Sequence, residues 1–284
     1  MDTPTLLRLS VFLGGLVLFA ALEALFPRKT RVMPRLHRWV TNLSLSALSS
    51  LGLRLLGPLT VAGAALAASQ NGLGLFNSVD APVWLIAAAT LILMDLAVWA
   101  QHLAMHKLPL FWRMHRVHHT DRDLDVTSGL RFHPFEAAVS MAWKALIVFL
   151  LGAPLMVALT YEIILNAMAL FTHANLRLPL WLDRALRWVI VTPDMHRIHH
   201  SIIRTETDSN YGNALSIWDR IFATYTPEPA AGQEGLTIGL AEWQDTRPAQ
   251  IRFALIHPQA PQLKRPQVYP PASSKRLLHT RPIS

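Results

Sequence analysis

Residues 81–106 read APVWLIAAATLILMDLAVWAQHLAMH. A helix crosses a bilayer with about 20 mostly apolar residues, and this stretch meets that length with Asp95 as its one acidic or basic interruption. Its last turns carry His102 and His106. Four residues apart on a helix, their imidazoles share one face. An apolar span that ends in two paired ligand residues predicts an all-α transmembrane bundle with its chemistry gathered at one membrane surface.

Further apolar regions surround this one. The first runs from about Leu6 to Phe26, the second from about Leu43 to Ala68 with Arg54 inside it, and the third is the quoted stretch. The fourth, Ala137 to Thr172, is too long for one crossing and reads as a helical hairpin broken at Gly152-Ala153-Pro154. About four spans are expected, the last a broken hairpin, under a cytosolic histidine-rich helical cap. Arg54 is expected to face protein or an aqueous pocket, because an arginine facing lipid is costly.

The composition agrees. The chain has 284 residues, 52% hydrophobic and 15% charged, against about 25% charged in soluble domains. The linker after the first span holds Arg28, Lys29, Arg31, Arg35 and Arg38, whereas residues 70–80 hold no lysine or arginine. The positive-inside rule puts the basic linker in the cytoplasm. Counting crossings from there puts every histidine cluster on the same side. The net charge of +8 is explained by cytoplasmic loops facing anionic lipid rather than by nucleic acid. With no cysteine, disulfides, thiolate metal ligands and iron–sulfur clusters held by cysteine are excluded.

Two more clusters follow the first. His115-Arg116-Val117-His118-His119 and His196-Arg197-Ile198-His199-His200 repeat one spacing, i, i+3, i+4. Imidazole suits iron, zinc, copper and nickel. Eight such nitrogens exceed one ion's needs and suit two ions with about four ligands each. His173, at the end of the hairpin, is a ninth candidate. Supporting partners for the ligands are sought in Asp95, seven residues before His102 on the same face, and in His133, Glu136, Asn175 and Asp219. Asn166 stands to His173 as Asp95 does to His102. His37, His257 and His279 read as ordinary histidines. No His-Glu-x-x-His signature of a zinc hydrolase is present.

Taken together, Asp95 with His102 and His106, the block His115 to His119, Arg131-Phe132-His133-Pro134-Phe135-Glu136, His173-Ala174-Asn175, His196 to His200, Asn210-Tyr211-Gly212 and Trp218-Asp219-Arg220 resemble the fatty acid hydroxylase / sterol desaturase superfamily. The resemblance covers residues 88 to 226. It implies two iron ions, with zinc as a conceivable substitute, and molecular oxygen as co-substrate. The implied reaction hydroxylates or desaturates an unactivated C–H bond of a lipid, such as a fatty acyl chain or sterol, entering from the bilayer. Ether-lipid cleavage on the same centre, or a membrane metal-binding or transport protein, are the alternatives. Some relatives carry a fused cytochrome b5 domain. No such segment is evident here, so a separate donor of cytochrome b5 or ferredoxin type is expected, docking on exposed Arg113, Arg116 and Arg197. The domain reading is 1–80 for N-terminal spans and basic linker, 81–226 for the catalytic core, and 227–284 for a C-terminal extension, disordered from about 258.

Overall fold

The computed structural model describes residues 3–55 and 59–256. His257, His279 and the tail read as disordered from about 258 lie outside the described residues. The described residues form, in order, α1 (Thr3–Leu25), α2 (Arg35–Arg54), α3 (Val61–Gln70), α4 (Val83–Lys107), α5 (Pro109–His119), α6 (Pro134–Leu151), α7 (Leu155–His173), α8 (Leu180–Leu186), α9 (Pro193–His199), α10 (Arg204–Thr207), α11 (Ile217–Ile221), α12 (Gly232–Gly235) and α13 (Ile251–Ile256). No β-strand forms among the described residues, only isolated bridges such as Pro27 with Leu176. Among the described residues, four helices are long and apolar enough to cross a membrane: α1 from Leu6, α4, α6 and α7. The chain is an integral-membrane, all-α helical bundle.

Local chemistry sets the helix boundaries. Proline opens α5, α6 and α9 at a position whose N–H would find no partner anyway. Gly152 ends α6 in the left-handed region (φ 63°), which costs glycine little. The broken hairpin expected over 137–172 is therefore α6 and α7.

The second expected span needs correction. Leu43 to Ala68 is not one helix. α2 starts earlier, at Arg35, and stops at Arg54; a separate α3 starts after Thr60, whose hydroxyl accepts from the Gly63 N–H at 3.2 Å. α2 is too polar to count as a span. It buries Arg38, Thr41, Asn42 and Ser49 against protein rather than lipid. Arg54 ends the helix exposed, not in a pocket.

α2 and α3 pack on α6, α1 packs on α7, and α4 packs on α5, α6 and α7. The bundle core centres on Val61, Ala65, Met94, Val148, Ala158 and Tyr161. Lipid offers no hydrophobic drive between helices, so close packing through small residues such as Ala65 and Ala158 carries the association. α1 is fastened at both ends. Near its start, Arg8 donates to Glu162 of α7 at 2.8 Å, and Lys144 of α6 reaches the same carboxylate at 3.2 Å. Near its end, buried Glu23 accepts from the backbone N–H of Val126 at 3.0 Å and of Asn175 at 3.1 Å.

The cap is tied to α2 by buried charge. Arg38 donates to Asp121 at 2.6 and 2.8 Å and to Asp125 at 2.6 Å. Arg131 donates to the Val117 carbonyl at 2.9 Å, to Asn42 at 2.8 Å and to Thr120 at 2.9 Å. These bonds fix the C-terminal end of α5, where the second histidine block lies. Gly129 then lets the chain approach α7 closely: a Cβ there would stand 2.6 Å from the Ala169 carbonyl.

Candidate metal centre

Five elements contribute imidazoles to one buried volume: α4, α5, the end of α7, α9 and the residue after α9. The nine nominated histidines come together in two groups. His102, His106, His115, His119 and His199 form one, and His118, His173, His196 and His200 form the other; within each, the ligand nitrogens lie within 4.8 Å of one another. The i, i+3, i+4 blocks are split between the groups. His115 and His119 stand one turn apart and join the first group, while His118 faces the second. In the third block the assignment is inverted: His199 joins the first group, and His196 and His200 the second.

Hydrogen bonds fix the tautomer of four rings. The Nδ1 of His102 meets the Tyr211 carbonyl at 2.7 Å, that of His199 the Ser209 carbonyl at 2.7 Å, and that of His173 the Ala169 carbonyl at 2.8 Å. The Nδ1 of His115 meets Glu136 at 2.6 Å. Each of those oxygens only accepts, so each Nδ1 carries the proton and each Nε2 presents a bare lone pair. Yet the Nε2 atoms of His102 and His115 lie 3.1 Å apart. Two lone pairs at that distance repel unless a cation sits between them.

The spacings fit a metal ion. Imidazole–zinc bonds run about 2.0–2.1 Å, so neighbouring ligand nitrogens should stand about 3.0 Å apart at a right angle and about 3.4 Å apart at the tetrahedral angle. Five inter-ring Nε2 pairs stand 3.0–3.2 Å apart, two in the first group and three in the second. Burial, reinforced by the neighbouring imidazoles, holds His118, His119, His196 and His200 well below the ordinary histidine value. Burial pushes His199 down to about 3. Neutral imidazoles with converging lone pairs are the ligand state a metal requires.

The nominated supporting residues divide. Glu136 reaches a cage histidine directly. Asp219 acts at one remove: it accepts from the N–H groups of Tyr211 at 2.9 Å and Gly212 at 2.8 Å, and the Tyr211 carbonyl in turn holds His102. Asp95 turns away from the imidazoles and accepts from Trp218 at 2.8 Å, the Leu215 N–H at 3.1 Å and Tyr161 at 3.3 Å. His133 caps α6 through the Phe135 N–H at 3.2 Å. Asn175 exchanges two hydrogen bonds with the Lys29 backbone, at 3.0 and 2.8 Å. Asn166 is exposed on α7, and so is His37 on α2. Arg116 and Arg197 are not the exposed docking residues expected. Both are buried, Arg197 paired with Asp194 and Arg116 set over the Trp243 ring at 5.4 Å.

Three aromatic neighbours of the cage had no role assigned from the sequence. Phe132 stacks on His118 with centroids 4.6 Å apart. Trp112 lies against His106 at 5.0 Å and His119 at 5.5 Å, and Tyr211 against His106 at 5.1 Å. The alternating acids Asp121, Asp123 and Asp125 beside the second block were the visible signal for Arg38.

Comparison with known proteins agrees with this geometry. The family model described as fatty acid hydroxylase matches residues 87–224. An ornithine lipid hydroxylase of Rhizobium tropici is 32% identical over 149 residues, covering 52% of this chain and 44% of that one. Alkylglycerol monooxygenases of Xenopus tropicalis and Homo sapiens are 27% and 28% identical, covering 52% and 56% of this chain and 32% and 34% of theirs. The matches thus span less than half the length of these curated relatives. No solved structure matches. The histidine blocks lie inside the matched segment, so residues 87–224 are similar to the fatty acid hydroxylase family in the region that carries the two histidine groups.

Proposed function

We propose that this protein is a di-iron, oxygen-dependent lipid hydroxylase with its active site at the cytoplasmic membrane face. The observation that carries the reading is the convergence of nine imidazoles, eight buried and that of His102 half-buried, into two groups of metal-ligand spacing. His102, His106, His115, His119 and His199 would hold one ion, and His118, His173, His196 and His200 the other. The ions would supply the redox chemistry that inserts one oxygen atom into a C–H bond. In balance, a lipid C–H, dioxygen, two electrons and two protons give the alcohol and water, with the electrons from a separate one-electron carrier protein.

The chain's own residues position and insulate. Glu136 and the carbonyls of Tyr211, Ser209 and Ala169 hold protons on Nδ1 and so keep Nε2 free for metal. Trp112, Phe132 and Tyr211 wall the cage with apolar rings that keep water from it. Basic Arg28, Lys29, Arg31 and Arg35 border the cap end of α1, which supports a cytoplasmic cap by the positive-inside rule. Residues 81–226 act as the catalytic core in this reading, with 1–80 as its membrane scaffold. Relatives named alkylglycerol monooxygenases favour a second outcome on the same centre: hydroxylation beside an ether oxygen, which breaks the ether.

Metal analysis of the purified chain is expected to give two irons. Lipids of cells expressing it should gain one atom from labelled dioxygen, and lose that gain in His118→Ala. One zinc per chain and no oxygen consumption would overturn the reading.

A further inference from the structure

Outside the cage, a groove of about 700 Å³ opens where α1 meets the segment after α7. That lies within the roughly 300–1,000 Å³ of small-molecule sites. Leu22, Phe26, Leu176, Leu178, Pro179 and Leu180 form its apolar wall. Its polar end holds Arg28, Arg177 and Glu234. The Glu234 carboxylate pairs with Arg28 and stands 3.6 Å from Arg177. Glu234 is itself exposed, on the four-residue α12. A carboxylate between two guanidiniums, at the mouth of an apolar groove, stands where an amphiphile's anionic group would stand.

The depth matches. Leu22 belongs to a spanning helix, and Leu180 in the groove wall and Trp181 next to it in the chain are each more than 60% exposed. Tryptophan flanked by arginine marks the headgroup level of a bilayer. We propose that this groove binds one lipid of the surrounding leaflet, its acyl chain along the apolar wall and its anionic headgroup replacing Glu234 between Arg28 and Arg177. Arg28 also donates to Asp194 at 3.0 and 3.1 Å, and Asp194 pairs with Arg197 between the histidines of α9. The bound lipid therefore touches the third histidine block through two ion pairs. The site stands whether or not the oxygenase reading holds, because its test needs no turnover.

The full chain, reconstituted with phosphatidylglycerol or phosphatidylcholine of identical acyl chains, would be examined by native mass spectrometry. Each basic residue near an anionic surface is worth roughly 1 kcal/mol, or roughly fivefold. Phosphatidylglycerol should be retained at least that much better than phosphatidylcholine. Arg177→Gln should remove roughly fivefold of the preference, and Glu234→Gln should raise it by freeing the guanidiniums. Leu178→Trp, which fills the groove, should cost one retained lipid of either kind at unchanged melting temperature. Equal retention of the two lipids, or no loss in Leu178→Trp, would overturn the site. So would a dimer that becomes monomeric in Leu178→Trp, because a second copy would then be the occupant.

Discussion

The two histidine groups are built differently. In the first, three of five rings, His102, His115 and His199, donate Nδ1–H to fixed oxygens. In the second, only His173 does so; the Nδ1 atoms of His118, His196 and His200 find no hydrogen-bond partner among the described residues. Those three rings are held by packing instead, His118 under Phe132, His196 stacked on His199 at 5.2 Å and His200 stacked on His119 at 4.5 Å. A donated Nδ1–H fixes ring angle and tautomer and raises ligand basicity, whereas packing fixes the angle alone. Under the proposed di-metal reading, the first group would thus be preorganised to hold its ion tightly, and the second would be a looser site completed by its ion.

The largest expected effect is from His199→Ala. It removes a ligand of the tight site, and metal content should fall by at least one ion with loss of oxygenase activity to below about 1%. An unchanged metal count would break the assignment of His199 to that group. Glu136→Gln sharpens the contrast. It takes the carboxylate from His115 alone, so affinity for one ion should fall about 10–100-fold while the other stays; stepwise chelator titration with elemental analysis reads both. In the unaltered chain the same titration should remove the second group's ion first. Release in a single step would show the two sites to be equal.

A weaker effect is expected from acid. Free imidazole titrates near 6.5, and the folded chain holds His118, His119, His196, His199 and His200 below that value. Between pH 6.5 and the depressed folded values the unfolded chain binds more protons. The metal-free protein should therefore keep its full stability above pH 6.5 and lose it progressively toward about 3, where His199 titrates. Metal should flatten this slope, and thermal melts with and without it across pH 4–8 measure the difference. The smallest effect falls on Asp95→Asn. Its hydrogen bonds run to Trp218 and Leu215 rather than to a cage ring, so melting should drop by roughly 1–3 kcal/mol while both metals stay.

Gathering the nine histidines was legible in the sequence because helical spacing puts i, i+3 and i+4 on one side. Their partition was not. It depends on α5 and α9 facing each other, which makes His118 and His199 cross over. Asp95 misled for a similar reason. Seven residues do place it on the face of His102, but Trp218 and the Leu215 N–H come from 120 or more residues away and claim its oxygens. The α6–α7 hairpin was legible because Gly152-Ala153-Pro154 is a local stop. The second span misled because Leu-rich α2 buries its polar face on the cap, and only the partners Asp121 and Asp125 make that face comprehensible.

The fastening of α1 bears on how the chain is made. Arg8 meets Glu162 and Glu23 meets Asn175 across 154 and 152 residues. α1 precedes these partners by about 150 residues, so Arg8 must wait in lipid without Glu162, and Glu23 with Arg31 and Arg35 alone, until α7 and the segment after it have been synthesised. Docking of α1 should come late in biogenesis, since α7 and the segment after it have to exist before α1 can make these two long-range contacts.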